Sequence, residues 1–190
     1  VGTAAIQLAQ AVGGNIIGTS STWKHENLKT MGVDHCIDYR TDNIYQKVME
    51  YTEGHGADLI IDPMGSKNWK ISYKCLSKMG KLVIFGDQNF VKGKSFSLLA
   101  SLKELFSMPK FRPVDLMNRN KSVMGYHLGR LTGSEYKIQQ AATALFDLAG
   151  DGKIKPVIDR VFPFTEADKA HAYIQDRKNF GKVLLDFREK

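Results

Sequence analysis

Cysteine is nearly absent: Cys36 and Cys75 are the two in 190 residues, and they form no Cys-x-x-Cys pair. This argues against a disulfide scaffold and a cysteine-rich zinc module, and a reduced, cytoplasmic protein is expected. Long hydrophobic runs are lacking too. The longest unbroken aliphatic or aromatic stretch, Leu82–Phe85, is about four residues, against roughly 20 for a membrane span. His25, His35, His55, His127 and His171 have no i,i+4 partner and no metal-ligand spacing. No Ser/His/Asp order and no close pair of carboxylates stands out. These patterns by themselves point to no metal ligand and no catalytic residue. There is no internal repeat and no low-complexity tract.

What is present is a globular composition. Hydrophobic residues make up 43% and charged residues 25%, which rules out a disordered tail or a collagen-like chain. At this length about 70% of the unfolded surface can be buried. The net charge of +7 is uneven: Lys67 to Arg130 holds 13 basic and 3 acidic residues. Such a band is a solvated basic face, or a surface for anionic ligands, anionic membrane or RNA. Aromatic residues are not regularly interleaved with the cations, which argues against nucleic acid.

Short apolar runs alternate with helical periodicity. Val1, Ala5, Leu8 and Val12 fall on one helical face. A helix that opens at residue 1 without a preceding strand or cap suggests a fragment. Strands are expected at Asn15–Gly18, His35–Ile37, Ala57–Asp62, Lys81–Gly86 and Ser122–Leu128, those at 57–62 and 81–86 being buried. Helices are expected at His25–Gly32, Ile44–Thr52, Ser66–Leu76 and Leu98–Phe106. This alternation gives an α/β fold with a parallel sheet. A long amphipathic helix, Ser134–Ala149, then changes the pattern. A strand at Val157–Phe162, a helix capped by Thr165 with Asp168 three residues on, and a strand at Lys182–Asp186 follow.

The chemistry-bearing positions fall at strand ends. Val1-Gly2 before a small-residue helix looks like the end of a Gly-rich turn that presents N–H groups to a pyrophosphate. The next strand ends in Gly18-Thr19-Ser20-Ser21-Thr22-Trp23-Lys24, with no Asp or Glu where a dinucleotide fold reads the adenosine ribose. An acid there binds the ribose hydroxyls of NAD and repels a 2′-phosphate; hydroxyls with a lysine do the reverse. One charge-assisted hydrogen bond contributes about 1.5–3 kcal/mol, roughly 10- to 150-fold. NADP is therefore expected over NAD, the alternative being an ordinary Ser/Thr loop with a solvated lysine. Tyr39 suits stacking beside adenine, and Arg40 suits either a phosphate or plain solvent. Phe85-Gly86 and Tyr126-His127-Leu128 end the later strands, where an open α/β sheet receives its ligand. His171 reads as a packed histidine, and the methionines as core filler.

Seven strings stand in order: VGTAAIQLA, GTSSTWKHENLKTMGVDHCIDYR, GADLIIDPMG, LSKMGKLVIFG, VMGYHLGRL, GKIKPVIDRVFPFTEADKAH and NFGKVLL. On them the chain resembles the medium-chain dehydrogenase/reductase superfamily, in its zinc-free quinone oxidoreductase group, nearest the synaptic-vesicle membrane protein branch. The resemblance implies a Rossmann-type doubly wound parallel sheet of order 3-2-1-4-5-6 with its first strand truncated. It also implies the C-terminal segment of a GroES-like catalytic domain. It places an NADP-binding domain at 1–130, a connecting helix and linker at 131–154, and the return into the catalytic domain at 155–190. Carried over by position, Val1 and Gly2 meet the pyrophosphate. Gly18, Ser20, Ser21, Lys24 and Tyr39 meet the adenosine-phosphate end. Phe85, Gly86, Tyr126, His127 and Leu128 meet the nicotinamide side, and Arg177 is a further contact. The implied activity is hydride transfer from NADPH to a quinone or enone in the full-length protein. A homodimer joined at the sheet edge is implied as well. The alternative is a vestigial NADP-binding scaffold that associates with anionic membrane or RNA.

Overall fold

The computed structural model describes residues 1–86 and 107–188. The expected helix at 98–106 and part of the basic band lie outside the described residues. Within them the chain forms two compact units, residues 1–38 with 135–190, and residues 39–134.

In the first unit, helix α1 (Gly2–Ala11) precedes strand β1 (Ile17–Ser20), helix α2 (His25–Thr30) and strand β2 (His35–Asp38). Strands β1 and β2 pair in parallel, Ile17 against His35 through Ser20 against Asp38. Ile6, Leu28 and Val33 form the buried cluster between these elements, with Ile16, Met31, Cys36 and Phe180 packed on it. Gly32, at φ 81°, takes the left-handed turn that closes α2. The unit continues with helix α6 (Glu135–Gly150), strand β6 (Ile158–Pro163), helix α7 (Ala167–Gln175) and strand β7 (Lys182–Asp186). β6 and β7 are parallel.

The second unit holds helix α3 (Ile44–Tyr51), strand β3 (Ala57–Asp62), helix α4 (Ser66–Cys75), strand β4 (Leu76–Ile84), helix α5 (Pro113–Arg119) and strand β5 (Ser122–Gly125). α3 is capped by Asn43, whose Oδ1 accepts the Gln46 N–H at 3.1 Å. The sheet order is β3-β4-β5, all parallel. The pairings β1–β2, β3–β4 and β4–β5 are all parallel, as in an α/β fold of Rossmann type. Among the described residues, β1 and β3 each pair on one side.

Some boundaries differ from the sequence reading. β1 begins two residues late. Asp34 Oδ2 accepts the Ile16 N–H at 2.7 Å, and the Ile16 carbonyl takes the N–H groups of Asp34 and His35, so the ladder starts after that clasp. β4 begins five residues early. Its first part carries a bulge, with Met79 at φ 66° and a register shift between Ala57 and Leu59, which hid the strand from an alternation count. β3 was expected buried, yet Leu59 and Ile61 are 56% and 45% exposed, because one sheet face is uncovered among the described residues. Tyr126, His127 and Leu128 leave the expected strand, and Leu128–Arg130 form a 3-10 turn. Thr165 caps no helix: Phe164–Glu166 form a 3-10 turn, and Glu166 precedes α7 without a side-chain cap bond.

Candidate functional site: a dinucleotide-binding strand end

The carboxyl ends of β1 and β2 lie side by side, Ser20 opposite Asp38. Gly18 lets β1 sit against α2, since a Cβ there would stand 3.2 Å from Val33 Cγ1 and 3.6 Å from Leu28 Cδ1. Ser20 Oγ donates to the Ser21 carbonyl at 3.1 Å. Ser21 is buried and leads the 3-10 turn Thr22–Lys24. Asp38 is the residue the linear reading missed. Its carboxylate accepts the Thr22 N–H at 2.9 Å and also the Thr22 hydroxyl. No acid follows β1 in sequence, but the parallel register brings one alongside. Ser20 and Asp38 each stand fourth in their strands, a pairing that the expected strands, ending at Gly18 and Ile37, did not contain. Asp38 is buried and bonded to the turn, so it shapes the loop that carries the hydroxyls.

Lys24 is half-buried. Its ammonium lies 4.8 Å from the Trp23 ring centroid and donates to the Asn179 carbonyl at 2.6 Å. The residues that follow, Phe180 and Gly181, turn the chain into β7. Phe180 packs on the Ile6–Leu28–Val33 cluster, so the turn is anchored in the core. Arg177, two residues before Asn179, has φ 57° and donates its N–H to the Ile174 carbonyl at 2.9 Å. His25 Nε2 is buried, with no hydrogen-bond partner among the described residues.

At the start of α1, Val1 is exposed and provides no side-chain cap bond, and the first turn holds no acid. A Cβ on Gly2 would meet nothing within 4 Å. Backbone N–H groups lead α1, and its first turn holds no acid, which suits an anionic group better than a cationic one.

In the second unit the register aligns Asp62, Ile84 and Gly125 at the carboxyl ends of three adjacent strands. Phe85 and Gly86 follow β4 there, and a Cβ on Gly86 would stand 3.6 Å from the Pro63 carbonyl oxygen. Tyr126 donates its N–H to the Ile84 carbonyl at 2.8 Å, which holds Tyr126-His127-Leu128 beside Phe85. Asp62 is buried, accepting the Met64 N–H at 2.8 Å and the Ser72 hydroxyl at 2.6 Å, and so fixes the loop after β3. Tyr39 lies elsewhere in the unit. It lines a groove of about 790 Å³ with Tyr45, Asn68, Tyr73, Arg119 and Lys121. None of Phe85, Gly86 or Tyr126 lines that groove. In it the Lys121 ammonium donates to the Tyr73 and Lys74 carbonyls at 3.1 and 3.4 Å. Burial, and then the charge of Arg119, lower its pKa.

Two groups can be tested against these residues. The hydroxyls and ammonium of the Ser20–Lys24 turn are of the chemistry that a phosphate-bearing dinucleotide takes. Among the described residues no three His, Cys, Asp or Glu side chains converge on a metal position.

Residues 31–185 match the protein family described as "Zinc-binding dehydrogenase". A synaptic vesicle membrane protein VAT-1 homolog of Danio rerio is 37% identical over 97% of this chain and 38% of its own length. A quinone oxidoreductase of Pseudomonas aeruginosa is 30% identical over 97% of this chain and 53% of its own. The crystal structure of human synaptic vesicle membrane protein VAT-1 homolog-like protein superposes with a TM-score of 0.76 at 27% identity, over 100% of this chain and 51% of that one. Escherichia coli quinone oxidoreductase complexed with NADPH gives 0.75 at 25% identity, over 97% and 53%. The chain thus spans about two-fifths to one-half of the relatives it matches.

Proposed function

The chain belongs to the zinc-binding dehydrogenase family, and from that premise we propose that the intact protein is a zinc-independent, NADPH-dependent reductase of quinones or similar conjugated carbonyls. The observation that carries the proposal is the adenosine end. Ser20, Ser21 and Lys24 gather at the carboxyl end of β1, and Asp38, which the register brings alongside, is bonded to Thr22. Hydroxyls and an ammonium attract a 2′-phosphate, and a buried, hydrogen-bonded carboxylate repels it less than an open one. The resemblance to NADPH-complexed quinone oxidoreductase supports the same reading.

When bound, the nicotinamide supplies the hydride; a quinone that accepts it and a proton becomes a hydroquinone. The chain's work is positional. The N–H groups that open α1 hold the pyrophosphate. Ser20, Ser21 and Lys24 hold the adenosine phosphate, with Tyr39 beside the adenine and Arg177 as a further contact. Phe85-Gly86 and Tyr126-His127-Leu128 offer backbone and apolar surface to the reactive ring. Catalysis then rests on holding donor and acceptor carbons about 3–3.5 Å apart away from water. We assign the cofactor domain to residues 1–130, the connection to 131–154 and the return segment to 155–190. We also propose a cytoplasmic homodimer joined along β5, which pairs with β4 on one side.

The test is titration of NADPH and NADH into the intact protein, with Lys24→Ala in parallel, and turnover across a panel of quinones and enones. Lys24→Ala should weaken NADPH about tenfold and NADH little. NADPH binding without oxidation by any acceptor would instead favour a vestigial scaffold. The basic band and the vesicle-membrane relatives favour that second reading. It expects salt-sensitive co-sedimentation with anionic liposomes, and none at low salt would sink it.

A further inference from the structure

We propose that the Asn179–Gly181 turn is the positioning element for Lys24, so that the far end of the chain sets the preference for a 2′-phosphate. The inference rests on the reading of Lys24 as the phosphate-facing cation, and adds what makes that cation selective.

Lysine is a point charge on a flexible four-carbon stem, and holding it in one place costs rotamer entropy. A lysine already held before the ligand arrives has less of that cost left to meet. Here the ammonium contacts the Trp23 ring at 4.8 Å and donates to the Asn179 carbonyl at 2.6 Å, 155 residues away in sequence. The acceptor is neutral. A carbonyl fixes the position of the ammonium and, unlike a carboxylate at that place, adds no negative charge of its own.

The carbonyl itself is tightly placed. Asn179 Nδ2 donates to the Gly181 carbonyl at 2.9 Å, closing the turn with its own side chain. Phe180 is packed on the core cluster beneath β1 and α2. Gly181 has φ 113°, and a Cβ there would stand 2.5 Å from the Val157 carbonyl oxygen, so only glycine fits the turn. Lys182 N–H then bonds the same Val157 oxygen at 2.8 Å, which fastens the turn to the chain entering β6. The core, the sheet and the asparagine side chain together aim one carbonyl at one lysine.

The test uses the intact protein with two probes, adenosine 2′,5′-bisphosphate and 5′-AMP, which differ in the 2′-phosphate. Wild type, Asn179→Ala, Lys24→Ala and the double variant are titrated, and folding is checked by thermal melting. Asn179→Ala should weaken the 2′,5′-bisphosphate about three- to tenfold and leave 5′-AMP within twofold. In the Lys24→Ala background the same substitution should change neither. Asn179→Ser, which keeps a donor to close the turn, should recover part of the loss and serves if the alanine variant does not fold. Equal losses for both probes, or the same loss with and without Lys24, would overturn the positioning role. So would an Asn179→Ala variant whose ratio matches wild type while Lys24→Ala loses the discrimination. If Lys24→Ala itself leaves the ratio unchanged, the reading of Lys24 fails and the proposal with it.

Discussion

Single residues carry the clearest chemistry. The two cysteines differ in what surrounds them. Cys75 is 1% exposed, and burial pushes its thiol up to about 11, with the charge of Lys121 acting weakly in the other direction. Cys36 is half-buried, and its thiol is also raised by burial, with Lys29 opposing. A raised thiol pKa means that the fold favours the protonated form. For Cys75 that stabilisation is complete below the ordinary thiol value of 9.0 and is lost as pH rises through about 11. Two outcomes follow. Alkylation at pH 8, followed by mass spectrometry, should label Cys36 well ahead of Cys75. Urea midpoints should fall between pH 9 and 11, and the fall should shrink in Cys75→Ala. Equal labelling would contradict the burial of Cys75. Lys24 was legible in the sequence as a cation after a strand, because a local spacing rule sufficed. Asp38 and Asn179 were not, because their relation to Lys24's turn is made by strand pairing and by a contact 155 residues long.

Elements show how much depends on backbone fit. Gly56 has φ 85°, and a Cβ there would meet the Cys75 carbonyl oxygen at 2.7 Å and the Ser77 nitrogen at 2.8 Å. These groups, and the Leu76 carbonyl carbon at 2.9 Å, are all backbone, so no side chain can move aside. Gly56→Ala should cost roughly 2 kcal/mol or more in urea unfolding, from strain at positive φ and overpacking. Leu82, at the centre of the β3-β4-β5 sheet, is 0% exposed. Leu82→Ala should cost about 2–5 kcal/mol, read in the same experiment. A loss under about 0.5 kcal/mol at both sites would show that this sheet is not the core of its unit. Most elements were visible in the sequence, since 3.6-residue and apolar periodicities are local. The early start of β4 was not. Its bulge at Met79 exposes a methionine and breaks the alternation that marks a strand.

At the scale of the whole molecule, apolar surface is left open. Among the described residues α6 buries none of its side chains, and Phe146 on it is 76% exposed. β1 and β3 each pair on one side, and unpaired N–H and C=O groups of a strand template association. The 190-residue chain alone should therefore self-associate as concentration rises, despite its net charge of +7. Sedimentation and dye binding to exposed apolar surface check this; a sharp, reversible melt from a monomer would show the opposite.

The sequence by itself determined the α/β class, the helix and strand order and the candidate cofactor end. Periodicity, strand-end glycines and the Ser-Ser-x-x-Lys spacing are all local, and local patterns survive without a fold. Only the tertiary structure decided which acid lies beside the Ser20–Lys24 turn, which strands share a sheet and which carbonyl holds Lys24. Those relations join residues far apart in the chain, and they exist only once parallel pairing and the Ile6–Leu28–Val33 core have brought them within hydrogen-bond reach.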